Sequence, residues 1–310
     1  MSAMNAAPDK QTFEIAATQL RMEAAFVEKD WFATRIIAII AGLQQAGFEV
    51  IFSGGTALSK AHNLLQRFSE DVDFRVLVAP SLHNRKALSA FKNAVIEALR
   101  SNGFAVSKEQ VKARDENRFI AIDLDYESHF SRPDALRPHI QIEITARDIQ
   151  LPQMYLPVAS FISGLSKRPP EVARMGCIDP VESAADKLSA LAWRIPDRVR
   201  GGKYDDPAIV RHIHDLAMLK DRALAHPRFR ELVSASMQED NARAKNDSSL
   251  EGMPMADKLR RMLTILESDK EYPQEYDRFV RSVSYAAEGA APGFASAMQA
   301  VRALVDAVTG

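Results

Sequence analysis

From Thr12 to about Ala46 apolar residues recur at helical spacing, most densely at Phe32, Ile36, Ile37, Ile39 and Ile40, and Gly47 supplies a stop. The run Val50-Ile51-Phe52 then predicts a buried strand that enters Gly54-Gly55, with a short helix opening near Thr56. A second strand is predicted to start at Asp71 and to continue through Phe74-Arg75-Val76-Leu77-Val78 as far as Pro80. An amphipathic helix follows over 81–101, its stripe made by Leu88, Phe91, Val95, Ile96 and Leu99 ahead of Gly103. Residues 118–126 and 139–145 read as two further strands, joined by a loop carrying Pro133 and Pro138. They are expected to be antiparallel neighbours of the strand that starts at Asp71. In the later one Ile140, Ile142 and Ile144 share one face, while Gln141, Glu143 and Thr145 share the other.

The pattern then changes. Pro152, Pro157, Gly164, Pro169 and Pro170 mark residues 150–179 as a crossover out of the sheet. Asp179-Pro180 supplies an N-cap and a first-turn proline for a helix reaching Arg194, with Val181, Ala184, Ala185, Leu188, Leu191 and Ala192 as its buried stripe. Asp206-Pro207 does the same for PAIVRHIHDLAMLK, and helices continue beyond Leu219. The polar run from Glu239 to Ser249 is read as a mobile loop, and the small polar residues 1–12 as a flexible tail. The expected fold is therefore α/β (α+β): a mixed sheet flanked by helices over 13–160, followed by a mainly helical domain over 161–310.

Composition narrows the class. A chain of 310 residues that is 46% apolar can bury two modest cores, and its net charge of −1 argues against nucleic-acid binding over the whole surface. The single Cys177 excludes an internal disulfide framework and a thiolate metal cluster. No signal-like start and no long apolar run is found, so the expectation is a cytoplasmic protein without a membrane span.

The candidate chemistry gathers between Phe52 and Phe74. Gly54-Gly55 permits a tight turn and close approach by a ligand, and the first N–H groups of the following helix suit a phosphate. Asp71 and Asp73 are two apart on a strand and share a face, where their mutual repulsion is relieved by a divalent cation, magnesium or manganese for oxygen ligands of this kind. Together these features point to metal-assisted nucleotidyl transfer. A D-x-D pair also occurs on plain solvated strand starts, so the glycine pair is what gives the pattern its specificity.

GGTALSKAHNLLQRFSEDVDF (54–74) resembles the signature of the AbiEii-type nucleotidyltransferases, toxins of bacterial toxin–antitoxin and phage-abortive systems within the DNA polymerase β-like superfamily. Glu28-Lys29-Asp30-Trp31 resembles the segment that precedes the glycine pair in many members, and Lys29 and Asp30 read equally well as ordinary helix-surface charges or as contacts with the active-site turn. Downstream likeness is scattered as far as about Leu216. The resemblance implies a polymerase-β-like fold and transfer of a nucleoside monophosphate from an NTP to an acceptor hydroxyl. Asp71, Asp73 and Glu143 would then be metal ligands, with Asp123 and Asp125 on the preceding strand as rivals to Glu143. It implies nucleotide contacts from Ser53, Gly54, Gly55, Thr56, Lys60 and Lys187, although Lys187 could equally snorkel to water. Asp215 would be an accessory active-site residue, with a plain Arg211 to Asp215 helix pair as the alternative. His212 and His214, two apart on a helix, diverge too far to share a metal. The basic link Arg198-Val199-Arg200-Gly201-Gly202-Lys203 is read as an RNA-backbone contact or a solvated loop. The implied biology is a toxin with a cognate antitoxin encoded nearby, acting on the tRNA 3′ end or another RNA. The competing readings are a small-molecule (antibiotic-type) or protein nucleotidyltransferase, and an inactive nucleotide-binding module.

Overall fold

The computed structural model describes residues 7–134, 136–243, 252–287 and 289–310. These divide into two compact units. One holds the residues up to Asn63 together with Phe68–Ile178; the other holds Leu64–Arg67 together with Asp179–Gly310.

Of the expected tail, residues 1–6 lie outside the described residues, but Asp9 already accepts the Thr12 N–H at 2.8 Å as the cap of helix α1 (Lys10–Leu20). The single helix expected over 12–46 is two helices, α1 and α2 (Ala24–Ala41). Arg21 closes α1 in the left-handed conformation at φ 55°. No glycine or proline marks that break, so the apolar period runs through it.

Among the described residues one sheet of seven strands organises the first unit, in the order β3-β4-β5-β2-β1-β7-β6. β1 (Phe48–Ser53) passes through Gly54 into α3 (Gly54–Lys60), and β2 (Val72–Val78) returns antiparallel to β1, Ser53 opposite Asp73. After α4 (Arg85–Ser101) comes the hairpin of β3 (Val111–Arg114) and β4 (Phe119–Leu124), and then β5 (Ile140–Ala146). The expected antiparallel pairing with the D-x-D strand does not occur. β5 lies parallel to β2, with Asp73 opposite Glu143, and β4 pairs only with β3 and β5. The helix α4 plus the added turn of the hairpin returns the chain to its starting end before β5 begins, which is the condition for a parallel pair.

The proline-rich stretch also departs from expectation. It carries β6 (Met154–Val158), α5 (Phe161–Leu165) and β7 (Val172–Cys177), and β7 lies parallel to β1. Pro157 sits inside β6, at the sheet's edge, where a missing N–H deprives no outer neighbour.

One face of the sheet forms the core. Phe52, Val72, Phe74, Val76, Ile120, Ile122, Ile140, Ile142 and Ile144 pack with Ile36, Ile37 and Ile40 of α2 and with Leu88, Phe91, Val95 and Leu99 of α4. The opposite face carries Asp73 and Glu143, in keeping with the alternation read from the sequence.

In the second unit, Asp179 caps α6 (Pro180–Arg194) through the Val181 N–H, and a 3-10 turn at Pro207–Val210 leads into α7 (Arg211–Ala225). Then come α8 (Phe229–Arg243), α9 (Met255–Ser268), α10 (Glu271–Val283) and α11 (Phe294–Thr309). The loop expected over 239–249 is helical as far as Arg243, and its remainder lies outside the described residues. Among the described residues no helix is long and apolar enough to cross a membrane.

Candidate active site

The turn after β1 fixes the geometry. Ser53 is extended and Gly54 has φ +74°, a conformation that side-chain-bearing residues rarely adopt. A Cβ on Gly54 would fall 1.9 Å from Asp73 Oδ2, so the glycine is required twice, by its backbone and by the carboxylate packed against it. The Thr56 hydroxyl donates to the Asp71 carbonyl and ties α3 to the entrance of β2. Ser53, Asp73 and Glu143 form one cross-strand row over β1, β2 and β5, with Asp71 two residues before Asp73. Asp123 is one strand further out, opposite Gln141, and pairs with Lys112 at 2.8 Å; Asp125 accepts from Gln110 at 2.8 Å.

These are hard oxygen donors of the kind magnesium and manganese take, and their backbone register suits a shared cation. As the side chains stand, no group of three His, Cys, Asp or Glu among the described residues is placed to hold one ion. Asp71 instead accepts from Arg137, its Oδ1 2.8 Å from Nη1.

Helix α2 supports the site with three consecutive buried charges. Successive helical residues point about 100° apart, so each can reach a different segment. Glu28 accepts from the His129 N–H at 2.8 Å and from the Ser128 hydroxyl. Lys29 donates to Glu70 at 2.6 Å and to the Arg137 carbonyl at 2.8 Å. Asp30 pairs with Lys60 at the end of α3 and accepts the Phe161 N–H at 2.8 Å. Burial lowers the Lys29 pKa against the pull of Glu70, and burial raises that of Asp30 against the pull of Lys60. Of the two readings left open for Lys29 and Asp30, surface charges are overturned: both are buried. Lys60, expected near phosphate, is engaged with Asp30 here.

Lys187 and Asp215 belong to the second unit, where they meet on α6 and α7. Lys187 Nζ is 2.9 Å from Asp215 Oδ2, and Arg67 grips both carboxylate oxygens, Nε to Oδ1 and Nη2 to Oδ2, at 2.7 Å each. Burial would raise the Asp215 pKa, yet the two cations outweigh it and hold it well below the usual carboxylate range. Arg211 reaches back to Asp206 at 2.9 Å. Within the basic link Val199, Gly201, Gly202 and Lys203 are exposed, whereas the two arginine side chains are engaged. Arg198 pairs with Asp205 and Glu275, and Arg200 with Asp269 and Glu275, both over the Tyr272 ring. Both arginines of the link thus stand against carboxylates of the same unit.

Sequence reasoning missed Arg67, Glu70 and Arg137. Arg67 and Glu70 stand within the signature itself, but only the fold reveals their partners; Arg137, in a proline-flanked loop, carries no pattern.

A glycine turn locked against a carboxylate row on a mixed sheet is the framework of a nucleotidyltransferase. The chain belongs to the family described as "Nucleotidyl transferase AbiEii toxin, Type IV TA system", whose profile matches residues 39–302. The match reaches well past Leu216 and begins after the Glu28-Lys29-Asp30 segment. The fold is similar to that of MenT4, a nucleotidyltransferase toxin of Mycobacterium tuberculosis H37Rv, at 17% identity and TM-score 0.50, over 94% of this chain and 98% of that one. A more distant likeness is to the CD-NTase CdnG of Bradyrhizobium diazoefficiens in complex with GTP, at 14% identity and TM-score 0.31, over 95% and 99%. A search of curated proteins finds no significant match.

Proposed function

We propose that this nucleotidyltransferase moves a nucleoside monophosphate from an NTP onto the 3′-terminal hydroxyl of tRNA, releases pyrophosphate, and acts as the toxin of a pair whose cognate antitoxin is encoded beside it. The observation that carries the transfer chemistry is the row Ser53, Asp73 and Glu143, closed over by Gly54. Asp71, Asp73 and Glu143 would hold divalent cations, magnesium or manganese, which when bound polarise the attacking hydroxyl and neutralise charge on the leaving pyrophosphate. The backbone N–H groups of Gly54, Gly55 and Thr56 take the triphosphate, and the Ser53 hydroxyl adds a donor. Lys187, paired with Asp215 at 2.9 Å within the second unit, is assigned positive charge toward the nucleotide on the resemblance alone. Lys60 contributes only when it exchanges Asp30 for phosphate.

The toxin assignment rests on the family, and the choice of tRNA rests on the resemblance alone; MenT4 is itself a nucleotidyltransferase toxin. The test is incubation of the protein with each α-labelled NTP, magnesium and total RNA. A labelled band of tRNA size, absent with Asp73→Asn, is the expected result. Label on protein, or on a small molecule, moves the acceptor to those classes.

A further inference from the structure

Arg137 has a clamped backbone and a partly exposed head. Its N–H donates to Glu70 Oε2 at 2.8 Å, and its carbonyl accepts from Lys29 Nζ at 2.8 Å. Lys29 and Glu70 are joined at 2.6 Å, and Lys29 is fully buried. Burying that ammonium carries a desolvation penalty, which Glu70 and the Arg137 carbonyl offset, and the same contacts fix the backbone of residue 137. The side chain, in contrast, is 40% exposed. Its Nη1 donates to Asp71 Oδ1 at 2.8 Å and to Gln141 Oε1, and Nε lies 3.6 Å from Glu70 Oε1. The head therefore lies in a small charge network at the surface, where water weakens each contact and a more highly charged partner competes for the guanidinium.

The stronger partner would be a phosphate. The planar guanidinium fork fits phosphate oxygens in a bidentate manner, and an incoming nucleotide with its cation competes for Asp71 at the same moment. We propose that Arg137 is a substrate-binding residue whose guanidinium exchanges Asp71 for the β- and γ-phosphates of the NTP. This rests on the nucleotidyltransferase reading above.

Calorimetric titration of wild type, Arg137→Ala and Arg137→Lys, each with an NTP, the matching NMP, and Mn2+ alone, tests it. Loss of a bidentate charge-assisted contact weakens NTP binding by about tenfold or more in Arg137→Ala. NMP affinity stays within about twofold, because the lost partner is the leaving group, and Mn2+ alone binds more tightly once its competitor for Asp71 is gone. Arg137→Lys, which keeps the charge without the fork, falls between the two. Equal NTP affinity in wild type and Arg137→Ala overturns the proposal and leaves the transferase reading intact. Equal loss of NTP and NMP binding overturns it as general damage to the site. A raised KM for RNA with unchanged NTP binding overturns it in favour of an acceptor phosphate. A wild type that binds no NTP overturns both the proposal and the reading it rests on.

Discussion

At the scale of single residues, Gly54 is the position with the least freedom. Alanine there must adopt a left-handed backbone, at roughly 1–2 kcal/mol, and must displace the Asp73 carboxylate that its Cβ would meet at 1.9 Å. Gly54→Ala is therefore expected to lower the melting temperature and to abolish transfer together. Asp215 permits a test in pH. Its folded pKa lies below the unfolded value of about 3.9. The stability it contributes is thus fully present above that value and is lost as the pH falls through the folded pKa. Asp215→Asn strands Arg67 and Lys187 in the interior and is expected to cost about 3–5 kcal/mol at pH 7. In denaturant titrations the gap between the two proteins should narrow only below about pH 4. Among individual residues, the strand faces of Asp73 and Glu143 and the turn at Gly54 were legible because strand alternation and turn chemistry act locally. Arg67, Glu70 and Arg137 were not, since an ion pair between positions 29 and 70 or 67 and 215 leaves no trace in either neighbourhood.

At the scale of elements, α2 is a strut as well as a covering helix. Its apolar stripe was readable, but Glu28, Lys29 and Asp30 look like any solvated face until the segments they reach are known. Removing the buried partner of Glu70 by Lys29→Met is expected to destabilise the protein by about 3 kcal/mol or more. Lys112→Met breaks an ion pair whose lysine side chain is 59% exposed, and should change stability by less than about 1 kcal/mol. Similar effects from the two substitutions would contradict the strut. The strands β6 and β7 went unread because prolines around them signal a crossover, and an edge strand accepts a proline that a central strand would not. The parallel pairing of β5 with β2 was likewise beyond reach, since alternation defines a strand's faces but not its direction or neighbours.

For the whole molecule, the sequence conveyed the succession of a mixed sheet with flanking helices and then a run of helices, which the structure has. What it could not convey is that Leu64–Arg67, inside the signature stretch, groups with the helices after Ile178. Binding that favours the folded chain also shows in its stability. A saturating NTP with magnesium, at 100 times its dissociation constant, contributes about 2.7 kcal/mol. A melting temperature raised by a few degrees in wild type, and unmoved in Asp73→Asn, is expected.

Pyrophosphate release from NTP in the presence of magnesium and RNA measures directly whether the row joining Asp73 to Glu143 is the proposed centre of nucleotidyl transfer. Glu143→Gln and Asp123→Asn should be compared, because both carboxylates lie on neighbouring strands and only Glu143 stands opposite Asp73. A bound cation's charge stabilisation is worth several kcal/mol, so Glu143→Gln should lower the rate by at least about 100-fold. Asp123→Asn should stay within about twofold of wild type. Full activity in Glu143→Gln, with Asp123→Asn inactive, would contradict the account.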